Sequence, residues 1–337
     1  MVPFKLTFAS LTRIADLEEQ PFEIQPLPRA NWSTGDYVVG EVTATSRASM
    51  VELASGRMTE VTVGDYLVGA LGIRAATLEA VGSWEEINSS HAMQAMTAAG
   101  IFGRITSSST FIPQPIDLIY RGHAVRSGRK ICMSDFVQSP TPCQLQCPVL
   151  LLIGTSMSSG KTTSARTIIR RLKKRDLCVV GAKLTGAGRY RDILAMSDAG
   201  ADAIFDFVDA GLPSTVCDQS VYRDALGNLL GLIAAAKPDV LVAEAGASPL
   251  EPYNGNIAIK ELGDWVRCTV LCASDPYAVV GVTKGFGFEP DFVSGVATST
   301  SAGVEVIGKL AGCPALNLLD VQSHPELDQI LQDRLGL

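Results

Sequence analysis

The chain reads as an α/β protein with a mainly parallel sheet flanked by helices, preceded by a smaller, mainly β domain. Three observations point there. In the second half, continuous apolar runs alternate with helix-like segments, the pattern of strands buried on both faces. In the first half, short β-branched runs recur about every ten residues between turns. Between the two lies 139–148, SPTPCQLQCP, whose three prolines can continue neither a helix nor a central strand.

The boundaries follow from these patterns: residues 1–138 form the β domain, 139–148 the linker and 149–337 the α/β domain. In the first, strands are expected at 37–44, 51–53, 58–63, 66–71 and 116–120, building a sandwich or a small barrel. Only 84–99 looks helical there. In the second, apolar strands are expected at 149–153, 177–182, 240–243, 268–272, 292–297 and 315–318. Helices are expected at 162–175, 221–236 and 324–335.

Composition narrows the class. The 337 residues carry a net charge of -7, which disfavours nucleic acid and anionic membranes as partners. With 47% hydrophobic and 19% charged residues, the chain can build buried cores. No apolar run approaches the ~20 residues of a membrane span, and acidic residues interrupt the first twenty positions where a secretory leader would stay apolar. The eight cysteines form no CxxC pair, and none has a histidine at zinc spacing. Free thiols in a reducing cytoplasm are the expectation. The three histidines, His91, His123 and His324, lie outside the segment that carries the chemistry.

That segment is Gly154-Thr155-Ser156-Met157-Ser158-Ser159-Gly160-Lys161-Thr162-Thr163, set between an apolar strand and a helix. This is the context of a phosphate loop. Backbone N–H groups and the helix N-terminus face the phosphates, Lys161 reaches the β and γ oxygens, and the Thr162 hydroxyl offers a ligand to magnesium. The expected fold is therefore that of a P-loop NTPase, with ATP and Mg2+ as cofactors. Five residues separate the glycines where the usual loop has four, and Thr155 stands at the usual first glycine. Lys183 ends the next apolar strand, where a parallel sheet opens its ligand crevice. With Thr185, Arg189 and Arg191 close behind, it suits a small anionic substrate. Glu244 ends the third strand, where a carboxylate can hold magnesium directly or through water. Asp198, Asp202 and Asp206, spaced by four, would share one helix face.

The lengthened loop resembles those of dethiobiotin synthetase and the cobyrinic acid a,c-diamide synthases. Gly181-Ala182-Lys183-Leu184-Thr185-Gly186 is similar to the synthetase's G-Y-K-P-V-x-S-G segment, and Glu244-Ala245-Gly246 to its strand ending in E-G-A-G. An uncharacterised P-loop family related to dethiobiotin synthetase resembles the chain more closely still, through Asp202–Gly211 and the Pro252-Tyr253 pair. The resemblance spans roughly 148–320 and leaves the first 140 residues uncovered. It implies that Lys183 stabilises the phosphoryl group or holds the substrate anion, and that Asp202 joins Thr162 and Glu244 at the magnesium. It also implies a nucleotide contact at Thr298, where the synthetase would show a base-reading Asn.

Two functions fit, and the first is preferred, because Lys183 and the arginine-bearing loop add a substrate-side anion site that a switch does not require. One is phosphoryl transfer to, or activation of, a small carboxylate, kinase- or ligase-like. The other is a nucleotide-dependent switch or chaperone-like NTPase whose β domain binds a partner. Switch ATPases of the cell-division type carry an extra lysine where this chain has Ser156, and no glutaminase-like Cys-His arrangement follows the loop region. A cytoplasmic protein, with a homodimer as its expected assembly, completes the reading.

Overall fold

The computed structural model describes residues 5–46, 49–138, 144–246 and 248–337. The chain falls into two compact units, and they do not meet at a single cut. The first contains Met1–Ser139 together with Ala187–Arg191 and Phe207–Cys217. Those two returning segments pair with each other, through the Ala187–Ser214 bridge and a bond from the Gly188 N–H to the Pro213 carbonyl at 2.9 Å. Of the expected linker, 139–143 lies outside the described residues, and 144–148 runs directly into the first strand of the second unit.

Among the described residues, five strands of the first unit's ten-stranded sheet form its closed part: β1 (Tyr37–Ala44), β2 (Tyr66–Leu71), β3 (Ala92–Ala95), β4 (Ile101–Ser108) and β5 (Ile116–Arg126). The order β2-β1-β5-β3-β4 is antiparallel throughout, and a parallel β4–β2 pairing closes the ring. A small barrel is thus the form taken. Val38, Val42, Leu67, Leu71, Met93, Ala95, Phe102, Leu118 and Tyr120 fill it at the period-two spacing of one strand face. The helix expected over 84–99 is absent. A short 3-10 turn occupies Trp84–Glu86, and Ser90 donates its N–H to the Asn88 carboxamide in a turn that redirects the chain into β3. Met93 and Ala95 then alternate into the barrel, so tertiary burial overrides the helix-favouring Ala, Met and Gln composition. The strand expected to stop at Tyr120 continues to Arg126 through an irregularity at Tyr120/Gly122.

The second unit is a six-stranded sheet of β6 (Val149–Gly154), β7 (Val179–Thr185), β8 (Ala203–Asp206), β9 (Val240–Ala245), β10 (Val266–Cys272) and β11 (Phe292–Ser294). Its order is β8-β7-β9-β6-β10-β11, and every pairing is parallel. A glycine-bounded loop leaves the C-terminal end of β6 and leads into a helix. Helix α1 (Lys161–Lys173) follows β6 and packs Ala165, Ile168, Ile169 and Leu172, spaced i, i+3, i+4 and i+7, onto Leu150 and Leu152 of that strand. Helices α2 (Tyr190–Ser197), α3 (Gln219–Ala235), α4 (Gly255–Leu262), α5 (Pro276–Phe286), α6 (Ser301–Ala311) and α7 (His324–Leu335) complete the order. Three expectations are corrected. Residues 292–297 stop being strand at Ser294 and turn into a 3-10 segment, Val296–Thr298. Residues 315–318 contribute only a single parallel bridge, Ala315 to Val293. The segment Asp198–Asp206 is not one helix face either, since Ala203–Asp206 is strand β8.

Candidate phosphate-binding site

All six strands run parallel, so their C-terminal ends share one edge. β6 delivers Gly154 there and β7 delivers Lys183 and Thr185. β9 delivers Glu244 and β8 delivers Asp206. In register, Lys183 lies between Glu244 on one side and Asp206 on the other.

The loop after β6 wraps its own lysine. Lys161 is 2% exposed, and its ammonium donates to the Ser156 carbonyl at 2.7 Å and the Met157 carbonyl at 3.3 Å. A side chain at Gly154 would put its Cβ 2.5 Å from the Lys161 Nζ, so only glycine leaves room for the ammonium. Gly160 enters α1 with φ at +98°, a conformation other residues adopt with strain. Thr155 ties the loop to the neighbouring strand: its N–H donates to the Cys272 carbonyl, and its hydroxyl accepts from the Ser274 N–H, both at 3.0 Å. Ser159 is buried and donates to the Ser156 carbonyl, whereas Ser158 and Thr163 are exposed.

Thr162, the first helical residue after the lysine, donates its hydroxyl to Glu244 Oε2 at 3.1 Å. Burial lifts the Glu244 carboxyl above its ordinary pKa, opposed by the Lys161 and Lys183 ammoniums. Burial likewise depresses the Lys161 ammonium, with Glu244 acting against it. Lys183 is buried too, and its Nζ meets Asp192 Oδ2 at 2.6 Å. Desolvation works against that ammonium, but Asp192, Glu244 and Asp206 together carry its pKa above the ordinary value. Glu251 adds a further negative charge within reach of Lys161. Lys161 and Lys183 thus share the electrostatic surroundings of Glu244, Asp192, Asp206 and Glu251. Magnesium keeps most of its waters and takes one or two protein oxygens beside nucleotide phosphates. Thr162 and Glu244 fit that demand. Among the described residues no group of three or more His, Cys, Asp or Glu could hold a metal without such phosphates.

Several expected residues are placed or engaged differently. Asp202 precedes β8, at the opposite end of the sheet, where it accepts from Lys173 and from the Val179 N–H at 2.7 Å each. It does not join Thr162 and Glu244, and Asp206 is the carboxylate of that strand at the loop edge. Thr298 is buried, and its hydroxyl lies 3.0 Å from the Gly295 carbonyl and 2.9 Å from the Leu316 carbonyl, which leaves no hydroxyl to read a base. Thr185 likewise spends its hydroxyl on the Gly246 carbonyl at 3.0 Å. Arg189 and Arg191 are exposed and belong to the first unit, where the Arg191 N–H donates to Glu52 Oε1 at 2.9 Å. No motif marks Asp192, and spacing marks Asp206 only as part of a helix face that does not form. The signal for Asp192 was a carboxylate nine positions beyond a buried lysine, at the start of the next helix.

No family model and no curated protein matches the chain. Solved structures do. A DUF1611 family protein from Anabaena variabilis matches at 14% identity over 58% of this chain, with a TM-score of 0.39, and the match spans 62% of that protein's chain. HypB, a hydrogenase maturation factor from Archaeoglobus fulgidus, matches at 16% identity over 56% of this chain and 90% of its own, with a TM-score of 0.38. HypB from Helicobacter pylori, solved in complex with nickel, gives 18% identity, 56% and 87% coverage, and the same TM-score. Among the described residues, no helix is long and apolar enough to cross a membrane.

Proposed function

We propose that this chain is a magnesium-dependent nucleoside triphosphatase that grips its nucleotide on loop 154–163 and works as a nucleotide-dependent switch, the β unit engaging a protein partner. The observation that carries the nucleotide reading is the buried Lys161 ammonium under its own loop, beside the Thr162–Glu244 pair. When bound, magnesium supplies charge neutralisation at the terminal phosphates. Thr162 and Glu244 would hold it, while Lys161 faces the β and γ oxygens and the loop N–H groups orient them. ATP is the proposed nucleotide, and a cytoplasmic setting and a homodimer belong to the same proposal.

The switch is preferred to a kinase or ligase because the arginines expected on the substrate side, Arg189 and Arg191, are both exposed. A second reading keeps one specific observation, the buried Lys183 ammonium at the loop's own sheet edge. In that reading, akin to dethiobiotin synthetase, an acceptor oxygen bonds to the γ-phosphorus as the bond to the bridging oxygen breaks, and the nucleoside diphosphate leaves with the electron pair. Phosphate release from ATP and from GTP, with and without a panel of small carboxylates, separates them. Slow release that no carboxylate stimulates supports the switch, and stimulation by one carboxylate supports transfer. Absence of both nucleotide binding and phosphate release would overturn the nucleotide reading itself.

A further inference from the structure

The Lys183–Asp192 pair is unequal. The Lys183 side chain is 4% exposed and that of Asp192 is 26% exposed. The lysine stem is walled in: a Cβ at Gly186 would lie 3.2 Å from Lys183 Cε, and one at Gly246 would lie 3.4 Å from it. The lysine stem thus passes close to both glycines. Asp192 stands in the first turn of α2 with part of its carboxylate in solvent. Its partner does not depend on it alone for compensation, since Glu244 and Asp206 also act on the Lys183 ammonium.

An anion approaching Lys183 from the solvent side therefore meets Asp192 first, and meets it as a like charge. We propose that Asp192 is an exchangeable counter-ion for Lys183, holding the ammonium until a transferring phosphoryl group or a substrate anion takes its place. The proposal rests on the nucleotide reading of the loop and adds a positioning residue to it. Asp192 keeps a buried cation compensated and fixed in direction between turnovers. The apparent affinity of the incoming anion is lowered by the fraction of time Asp192 holds the place. A residue that only props up the lysine would act in the other direction, since its loss would leave the ammonium misdirected and the anion bound more weakly.

The test uses the full chain and a transition-state mimic, aluminium fluoride, added with the magnesium complex of ADP or GDP, whichever the unaltered chain binds. Asp192→Asn keeps the shape and a hydrogen-bonding oxygen but removes the charge. Its affinity for aluminium fluoride should rise at least fivefold, while diphosphate affinity stays within twofold. Asp192→Ala, checked for folding by its thermal melt, should shift in the same direction, and Lys183→Met should lose the mimic. Unchanged or weaker binding of the mimic by both Asp192 variants would overturn the exchange. Failure of the nucleotide reading shows separately, as no diphosphate binding to the unaltered chain.

Discussion

Replacing Lys161 with Ala probes the loop at its centre. The ammonium is buried and bonded to the Ser156 and Met157 carbonyls, so truncation removes charge-assisted bonds and also relieves the desolvation that depresses its pKa. Those opposing terms leave the melting temperature of the free chain within a few degrees of the parent. Toward nucleotide the balance is one-sided, because the phosphates lose a cation and nothing replaces it. A hydrogen bond to a charged group contributes about 1.5–3 kcal/mol. At 1.4 kcal/mol per tenfold, that is about 10- to 100-fold in affinity. Calorimetric titration with a non-hydrolysable triphosphate and magnesium reads this directly. An affinity within twofold of the parent, in a variant that melts normally, would refute the assignment of the loop.

Three further outcomes follow from the same geometry. Glu244→Gln keeps an oxygen for the Thr162 hydroxyl but removes the charge, so the magnesium dependence of triphosphate binding should weaken at least tenfold; a titration against magnesium concentration checks it. Asp202→Asn should leave nucleotide and magnesium affinity unchanged. It should lower the melting temperature slightly at neutral pH, because the Lys173 ammonium beside Asp202 holds its carboxyl below the usual range. A depressed carboxyl stabilises the fold above its unfolded pKa and loses that contribution as pH falls through the folded one, so the two melts should converge in acid. Leu152→Ala, at a fully buried β6 position under α1, should cost about 2–5 kcal/mol in urea denaturation.

The parts legible in sequence were those fixed by local chemistry. Apolar runs gave β6, β7, β9 and β10 to within a few residues, and the Gly160-Lys161-Thr162 order placed the loop at a helix start. Glu244 was legible because it ends such a run. The mistaken choice of Asp202 over Asp206 shows what spacing cannot carry. Asp202 precedes the short strand that Asp206 ends, and only strand direction decides which of them reaches the loop edge. Asp192 was hidden for a related reason, since its meeting with Lys183 depends on how the chain turns between them. Thr298 looked available as a hydroxyl, but two carbonyls on either side of it had already claimed the proton. The 84–99 segment was misread because alanine, methionine and glutamine favour helix, while the barrel interior selected the alternate residues Met93 and Ala95.

A structure of the chain with magnesium and a non-hydrolysable triphosphate tests the central claim most directly. The β and γ phosphates should sit over the backbone N–H groups of 155–161, with Lys161 Nζ turned from the Ser156 carbonyl to phosphate oxygen and the ion between Thr162 and Glu244. Nucleotide bound elsewhere, or an ion more than one water away from Glu244, would contradict the account.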